Sequence, residues 1–341
     1  IKFNKNNLKK DQIRQYEDII TKNKNKYFRL KNLNDSDLDR LISILESIYY
    51  NNIIEQHDSE DNRTFKVNKK TIKNNPKNQK LNLIIAFDTE YYYKNLLKDI
   101  RGEKDKINKF IDYSLSKSIP EINQNTTLSY QIYLILYDNE YNIYEEISIF
   151  YDTFKYGRLA MEEILNTVFK EISLDKIDKK NIIFIAHFNS ADLFEIKDIK
   201  KVINNEYFVG NLIKKHCYAG NFYYNAESIK IEPIINRKGK NVIPIKLKDL
   251  YALTGESLSE LGKSLSTDNE LDKLYNPLIQ NMDILYDEDK EFFEQYAMRD
   301  AEITAKFYIQ FMKELSVFGT EEILKAETIG GISARIFKER L

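Results

Sequence analysis

The sequence predicts an α/β fold, a mixed sheet flanked by helices and preceded by a small basic N-terminal region. Three observations carry that prediction. Short apolar runs rich in Ile, Tyr and Phe recur from residue 81 onward and read as strands. Apolar residues at helical spacing recur between and after them, at 161–172, 257–265 and 291–315. The first 80 residues are polar and carry 18 Lys and Arg against 11 Asp and Glu, whereas the remainder carries 34 against 42.

The elements follow in order. Residues 1–28 are lysine-rich. "SDLDRLISILESIYYN" (36–51) has helical periodicity behind Ser36, a good helix-capping residue. Residues 52–80 read as a loop or mobile linker, so 1–80 form a basic arm with a small helical region. "LNLIIAFDT" (81–89) is a buried strand. "SYQIYLILYDN" (129–139) and "NIYEEISIFYD" (142–152) are strands joined by a turn at Asp138, Asn139 and Glu140. "MEEILNTVFKEI" (161–172) is an amphipathic helix. "NIIFIAHF" (181–188) is a buried strand, with a helix expected over 191–204. "NFYYNAESIKIEPI" (221–234) reads as a hairpin and "IPIKLKDL" (243–250) as a strand. "SLSELGKSL" (257–265) and "EFFEQYAMRDAEITAKFYIQFMKEL" (291–315) are helices.

Composition narrows the class. A chain of 341 residues supports one large domain or two smaller ones. No run of about 18 apolar residues is present, so no membrane span is expected. There is no signal-peptide pattern. The single cysteine, Cys217, excludes an internal disulfide framework and fits an intracellular, reducing compartment, cytoplasm or mitochondrion, rather than secretion. One Cys and three His argue against a zinc site. The basic arm of residues 1–80 is compatible with nucleic-acid binding and equally with a solvated polar surface.

The chemistry lies in acids at element ends. Asp88 and Glu90 close the strand "IIAFDTE" (84–90), two residues apart and so on one face. Asp192 follows "NIIFIAHF". Asp300 lies four residues after Tyr296 on one helix face. Four crowded carboxylates repel one another, and divalent cations relieve that repulsion. Two Mg²⁺ or Mn²⁺ ions held by Asp88, Glu90, Asp192 and Asp300 would activate a water against a phosphodiester, with Tyr296 orienting it. Singly, each residue has an ordinary reading: Asp192 as a helix cap, Asp300 as a solvated helix acid, Tyr296 as a core aromatic. The combination is the signal.

That combination resembles the 3′–5′ exonucleases with four acids and a tyrosine on a ribonuclease H-like fold, and most closely the proofreading domain of protein-primed family B DNA polymerases. Asp88 and Glu90 match the first motif, Asp192 the second, and Tyr296 with Asp300 the third. Gln295 stands where the histidine variant of the family has His. The resemblance implies catalysis by Asp88, Glu90, Asp192, Tyr296 and Asp300 with two divalent metal ions. It implies a single-stranded DNA primer 3′ end as substrate. "SLSEL" (257–261) is similar to a motif of that branch, which implies that Ser257 and Leu258 contact single-stranded DNA and a terminal protein. Lys273 is the candidate for a lysine expected between the second and third motifs. The second motif departs from the pattern: His187 is followed by Phe188 instead of Asn, with Asn189 one place late as the substitute contact to the DNA end. Tyr91, Tyr92 and Tyr93 offer stacking surfaces. The resemblance spans residues 81–335, and 81–320 is the expected exonuclease domain. "TIGGISARIF" (328–337) is similar to the lead-in to a polymerase palm, so 321–341 is expected to start a linker toward the remainder of a polymerase chain, whose own motifs do not occur in this sequence. A chain beginning at Ile1 reads as a piece of something longer.

Overall fold

The computed structural model describes residues 63–75, 79–95, 123–214, 217–238, 241–265, 271–280, 282–318 and 325–340. The basic arm up to residue 62, with its expected helix at 36–51, lies outside them, as do the side chains of Tyr92 and Tyr93. The chain divides into two compact units. One holds 1–63, 92–126 and 155–157, few of which are described. The other holds 64–91, 127–154 and 158–341 and carries the sheet. No helix among the described residues is long and apolar enough to cross a membrane.

The fold is α/β, with a mixed, mostly antiparallel sheet flanked by helices. Its strands are β1 (Phe65–Thr71), β2 (Leu81–Asn95), β3 (Asn123–Tyr137), β4 (Ile143–Asp152), β5 (Ile177–Ala186), β6 (Phe208–Lys214), β7 (Cys217–Asn225), β8 (Lys230–Glu232) and β9 (Val242–Asp249). The order across the sheet is β1-β4-β3-β2-β5-β9-β7-β6, with β8 paired to β7. At the centre, β2, β5 and β9 run parallel, with Ile84 opposite Ile183 and Ile183 opposite Lys246. β1, β3 and β4 pair antiparallel on one side, and β6, β7 and β8 on the other.

Among the described residues, the helices of seven or more residues are α1 (Met161–Glu171), α2 (Leu258–Leu265), α3 (Met282–Glu288), α4 (Lys290–Ser316) and α5 (Ile329–Arg340). Central strands buried on both faces read as unbroken apolar runs, which is why β2, β3 and β5 are visible in the sequence. On one face Ile84, Ala86, Tyr133, Ile135, Ile183 and Ile185 pack against α2, α4 and α5. Residues of opposite parity, Phe87, Tyr130, Phe184 and Phe222, pack tilted or edge-on through the other face with ring centroids 5.4–6.4 Å apart. α1 meets β7 there, Phe169 lying 5.1 Å from Tyr224.

α4 starts at Asp289, whose Oδ1 accepts the Phe292 N–H at 3.0 Å. It buries Phe293, Tyr296, Ala297, Asp300, Ala301, Thr304, Tyr308 and Met312, an i, i+3/i+4 stripe with small residues where it crosses the sheet. The Tyr308 hydroxyl is buried without a hydrogen-bond partner among the described residues. Such a group carries its desolvation cost unrelieved. Tyr308→Phe is therefore expected to stabilise the protein by about 1 kcal/mol in urea denaturation.

Three expectations change. The stretch read as linker contributes β1, so the sheet begins at Phe65 rather than at 81. The helix expected over 191–204 is broken into one-turn helices at Asn189–Asp192 and Ile199–Val202 with a 3-10 turn between. The cause is Arg158, whose guanidinium donates to the carbonyls of Phe194 and Glu195 at 2.7 and 2.5 Å, and Tyr130, whose hydroxyl also donates to Glu195 O. Those carbonyls are thereby drawn off the helical ladder. β6 has no counterpart in the sequence reading, because Gly210 faces Gly220 where the two strands cross. A Cβ on either would stand 2.3 or 2.4 Å from backbone oxygen, and the Phe208 ring covers the gap.

Candidate active site

Ile84, Ala86, Asp88 and Glu90 alternate onto one face of β2, the face α4 covers. Asp300 on α4 meets the two strand acids there. Asp88, Glu90 and Asp300 each place a carboxylate oxygen within 4.8 Å of the others, and all three are buried. The cluster lies just past the last residue that pairs β2 with β5, Ala86. That is the carboxyl end of the parallel strands, where open α/β sheets place their ligand crevice. β5 runs out alongside through His187 and Phe188 into the turn that carries Asp192. Asp192 is buried next to the three but outside their ligand-distance group, and its Oδ1 accepts the Thr89 hydroxyl at 3.1 Å.

Burial, then the neighbouring carboxylates, push Asp88 and Glu90 well above the usual carboxylate range. Asp300 is also raised by burial, against the pull of Lys273. Asp192 is lifted from 3.8 to about 7 by burial, against its hydrogen bonds from Thr89 and with Asp300 and Asp249 adding repulsion. An acid whose folded pKa exceeds its unfolded one binds more protons when folded, so stability falls as pH rises between the two values. The metal-free protein is expected to melt at a lower temperature at pH 8 than at pH 5, with Asp192 acting between about 4 and about 7. Saturating Mn²⁺ should remove that decline, because a cation replaces the protons. A differential scan at the two pH values checks both.

Lys273 comes to the acids on the loop 271–276. Its Nζ lies 2.6 Å from Asp300 Oδ2 and 5.3 Å from the centre of the Tyr296 ring. Two contacts hold that loop. Arg299 donates to Asp272 O at 3.1 Å. Gly262 of α2 leaves room for Leu271 O, which a Cβ would meet at 2.5 Å. Burial alone would pull the Lys273 pKa down, but the facing carboxylates hold it above its ordinary value. Tyr296, buried beside Asp300, is pushed up to about 12 by burial and by that charge. It is therefore a protonated hydrogen-bond donor at neutral pH and no base. His187 is lowered by burial, and its Nε2 lies 2.9 Å from Glu256 O.

The other residues singled out from sequence sit elsewhere. Asn189 is fully buried, its amide donating to Tyr218 O at 2.8 Å and accepting from Tyr218 N at 3.2 Å. It clamps β7, with its amide nitrogen and oxygen both engaged by Tyr218. Leu258 is a core residue under α4, not an outward contact. Ser257 and Glu260 close a capping box for α2: Ser257 Oγ and N donate to Glu260 Oε2 at 2.6 and 3.0 Å, and Glu260 N donates back to Ser257 Oγ at 3.3 Å. Ser257→Ala is expected to cost about 1 kcal/mol of stability, read as a shift in the urea midpoint.

Asp249 was not among the residues the sequence singles out. Fully buried at the end of β9, it accepts the Ala252 N–H at 2.7 Å and the Asn189 N–H at 2.9 Å, so it fixes the turn that carries Asp192. Its only sequence signal was an acid closing a third strand, "IPIKLKDL" (243–250).

The cluster fits a hard divalent cation. Its donors are carboxylate oxygens, the ligands Mg²⁺ and Mn²⁺ prefer. Asp300 Oδ1 is buried with no hydrogen-bond partner among the described residues, while Oδ2 is held by Lys273, which leaves one oxygen available to a metal. No family model, curated protein or solved structure matches the chain.

Proposed function

We propose that the chain is a metal-dependent 3′–5′ exonuclease acting on single-stranded DNA ends. On this reading its sheet is a ribonuclease H-like one, and the chain is the proofreading portion of a protein-primed family B DNA polymerase. The observation that carries the proposal is the convergence of Asp88, Glu90 and Asp300, with Asp192, Tyr296 and Lys273 beside them. Acids from β2, from the turn that follows the adjacent parallel strand β5, and from a covering helix support the fold reading.

Asp88, Glu90, Asp300 and Asp192 would hold two Mg²⁺ or Mn²⁺ ions. Bound there, the metals supply a water nucleophile at neutral pH and stabilisation of the leaving oxygen. The protein's own groups divide the remaining work. Tyr296, protonated, donates a hydrogen bond that orients the attacking water. Lys273 holds Asp300 Oδ2 in place and adds positive charge toward the scissile phosphate. Thr89 and Asp249 fix Asp192 through its carboxylate and its turn. Of the two residues expected to meet a terminal protein, Ser257 caps α2 and stays exposed, while Leu258 lies in the core.

A second reading, a module that binds single strands without cutting them, is favoured by the withdrawal of Asn189 into its clamp on Tyr218. Digestion of a 5′-labelled single-stranded oligonucleotide with Mg²⁺ or Mn²⁺ separates the two. The nuclease reading expects a 3′-end ladder from the wild type and none from Asp88→Ala/Glu90→Ala. Binding without a ladder from the folded wild type selects the module.

A further inference from the structure

We propose that Phe188 is the stacking surface for the terminal unpaired base of the single strand whose 3′ end lies at the acids. This rests on the nuclease reading. Its origin is the inward turn of Asn189. Asn189 is drawn in by Tyr218 and Asp249 and is fully buried, while Phe188 beside it stays exposed at the start of that helical turn.

The ring is 41 % exposed, yet it is held. It packs edge-on against Tyr251, centroids 5.6 Å apart at 82°, and Tyr251 packs in the same way against His187 at 5.8 Å. An exposed ring with a fixed orientation loses little freedom when a base stacks on it. Its place is also right. Phe188 O accepts the Asp192 N–H at 3.3 Å, which puts Phe188 one turn from that acid. The adjacent His187 ring is close enough to feel the Asp300 carboxylate. A phenyl face accepts any base and carries no hydrogen-bond code. An unpaired base offers it a free face, whereas a base within a duplex is already stacked. Phe188 therefore selects for frayed ends and tolerates all four bases.

The test measures anisotropy of a labelled oligo(dT) in EDTA, and steady-state hydrolysis with Mn²⁺, for wild type, Phe188→Ala, Phe188→Leu and Phe188→Trp. Each protein is assayed on an intact oligonucleotide and on one whose 3′-terminal nucleotide is abasic. On the intact strand, Phe188→Ala should weaken binding and raise KM by about tenfold, with kcat changed far less. Phe188→Leu should behave like Phe188→Ala, and Phe188→Trp should restore affinity. On the abasic strand all four proteins should bind alike. Equal loss on both strands, no loss on either, or rescue by Leu would overturn the stacking role while leaving the nuclease reading in place. A folded wild type that neither binds nor degrades single strands overturns both.

Discussion

Replacing Asp88 with Asn and Glu90 with Gln together is expected to lower 3′-end hydrolysis by about 10³-fold and to raise the melting temperature of the metal-free protein. On the nuclease reading, the first effect follows from the chemistry a bound cation would supply, several kcal/mol at the transition state, each ~1.4 kcal/mol being tenfold in rate. The second follows from the site. Both acids are buried against each other, Asp192 and Asp300, and their pKa values are raised well above normal. Neutral amides of the same shape remove this like-charge repulsion, a gain of about 1 kcal/mol. Mn²⁺ should raise the melting temperature of the wild type and leave that of the double variant unmoved. Activity and stability falling together would instead make the two acids structural supports.

Phe293→Ala is expected to cost about 3–5 kcal/mol of stability, several times the effect of Ser257→Ala. The ring is fully buried and packs edge-on against Phe150 of β4 at 6.4 Å and Tyr286 of α3 at 5.2 Å. It seats the first turns of α4, one turn before Tyr296 and two before Asp300. The cavity should therefore loosen the helix at the acids as well as lower stability. Urea denaturation gives the first effect, and Mn²⁺ titration of the variant below its melting point gives the second. Val317→Ala, at a residue 82 % exposed just past the end of α4, should change stability by less than about 0.5 kcal/mol and serves as the control. A loss below about 1 kcal/mol for Phe293→Ala would mean that α4 is held chiefly by its alanine crossing.

What the sequence made legible was whatever burial imprints on one segment. β2, β3 and β5 show as apolar runs because both their faces are covered, and α4 shows as a 3.6-residue stripe. β1 leaves no such trace, since "FKVNKKT" is an edge strand with only Phe65 and Val67 even partly buried. The two glycines of the β6–β7 crossing suppress the strand signal where the chains approach most closely. Acids at strand ends were visible, and the structure gathers Asp88, Glu90 and Asp300 with Asp192 alongside. Roles set by a distant partner were not. Asn189 was a candidate strand contact until Tyr218 took its amide, and Ser257 until Glu260 closed the box. Asp249 looked like one more acid after a strand, and only its two amide donors reveal it as a brace.

The meeting of Asp88 and Glu90 with Asp300 also orders events in time. The first central strand and the 27-residue helix α4 that packs on it must both be home before three oxygens converge on one point. Contacts so remote along the chain form late, because the loop between them has to close first. A half-assembled chain thus has strands and helices but no cluster that could hold a cation. On the nuclease reading, the fold withholds its tool until that strand and that helix have met.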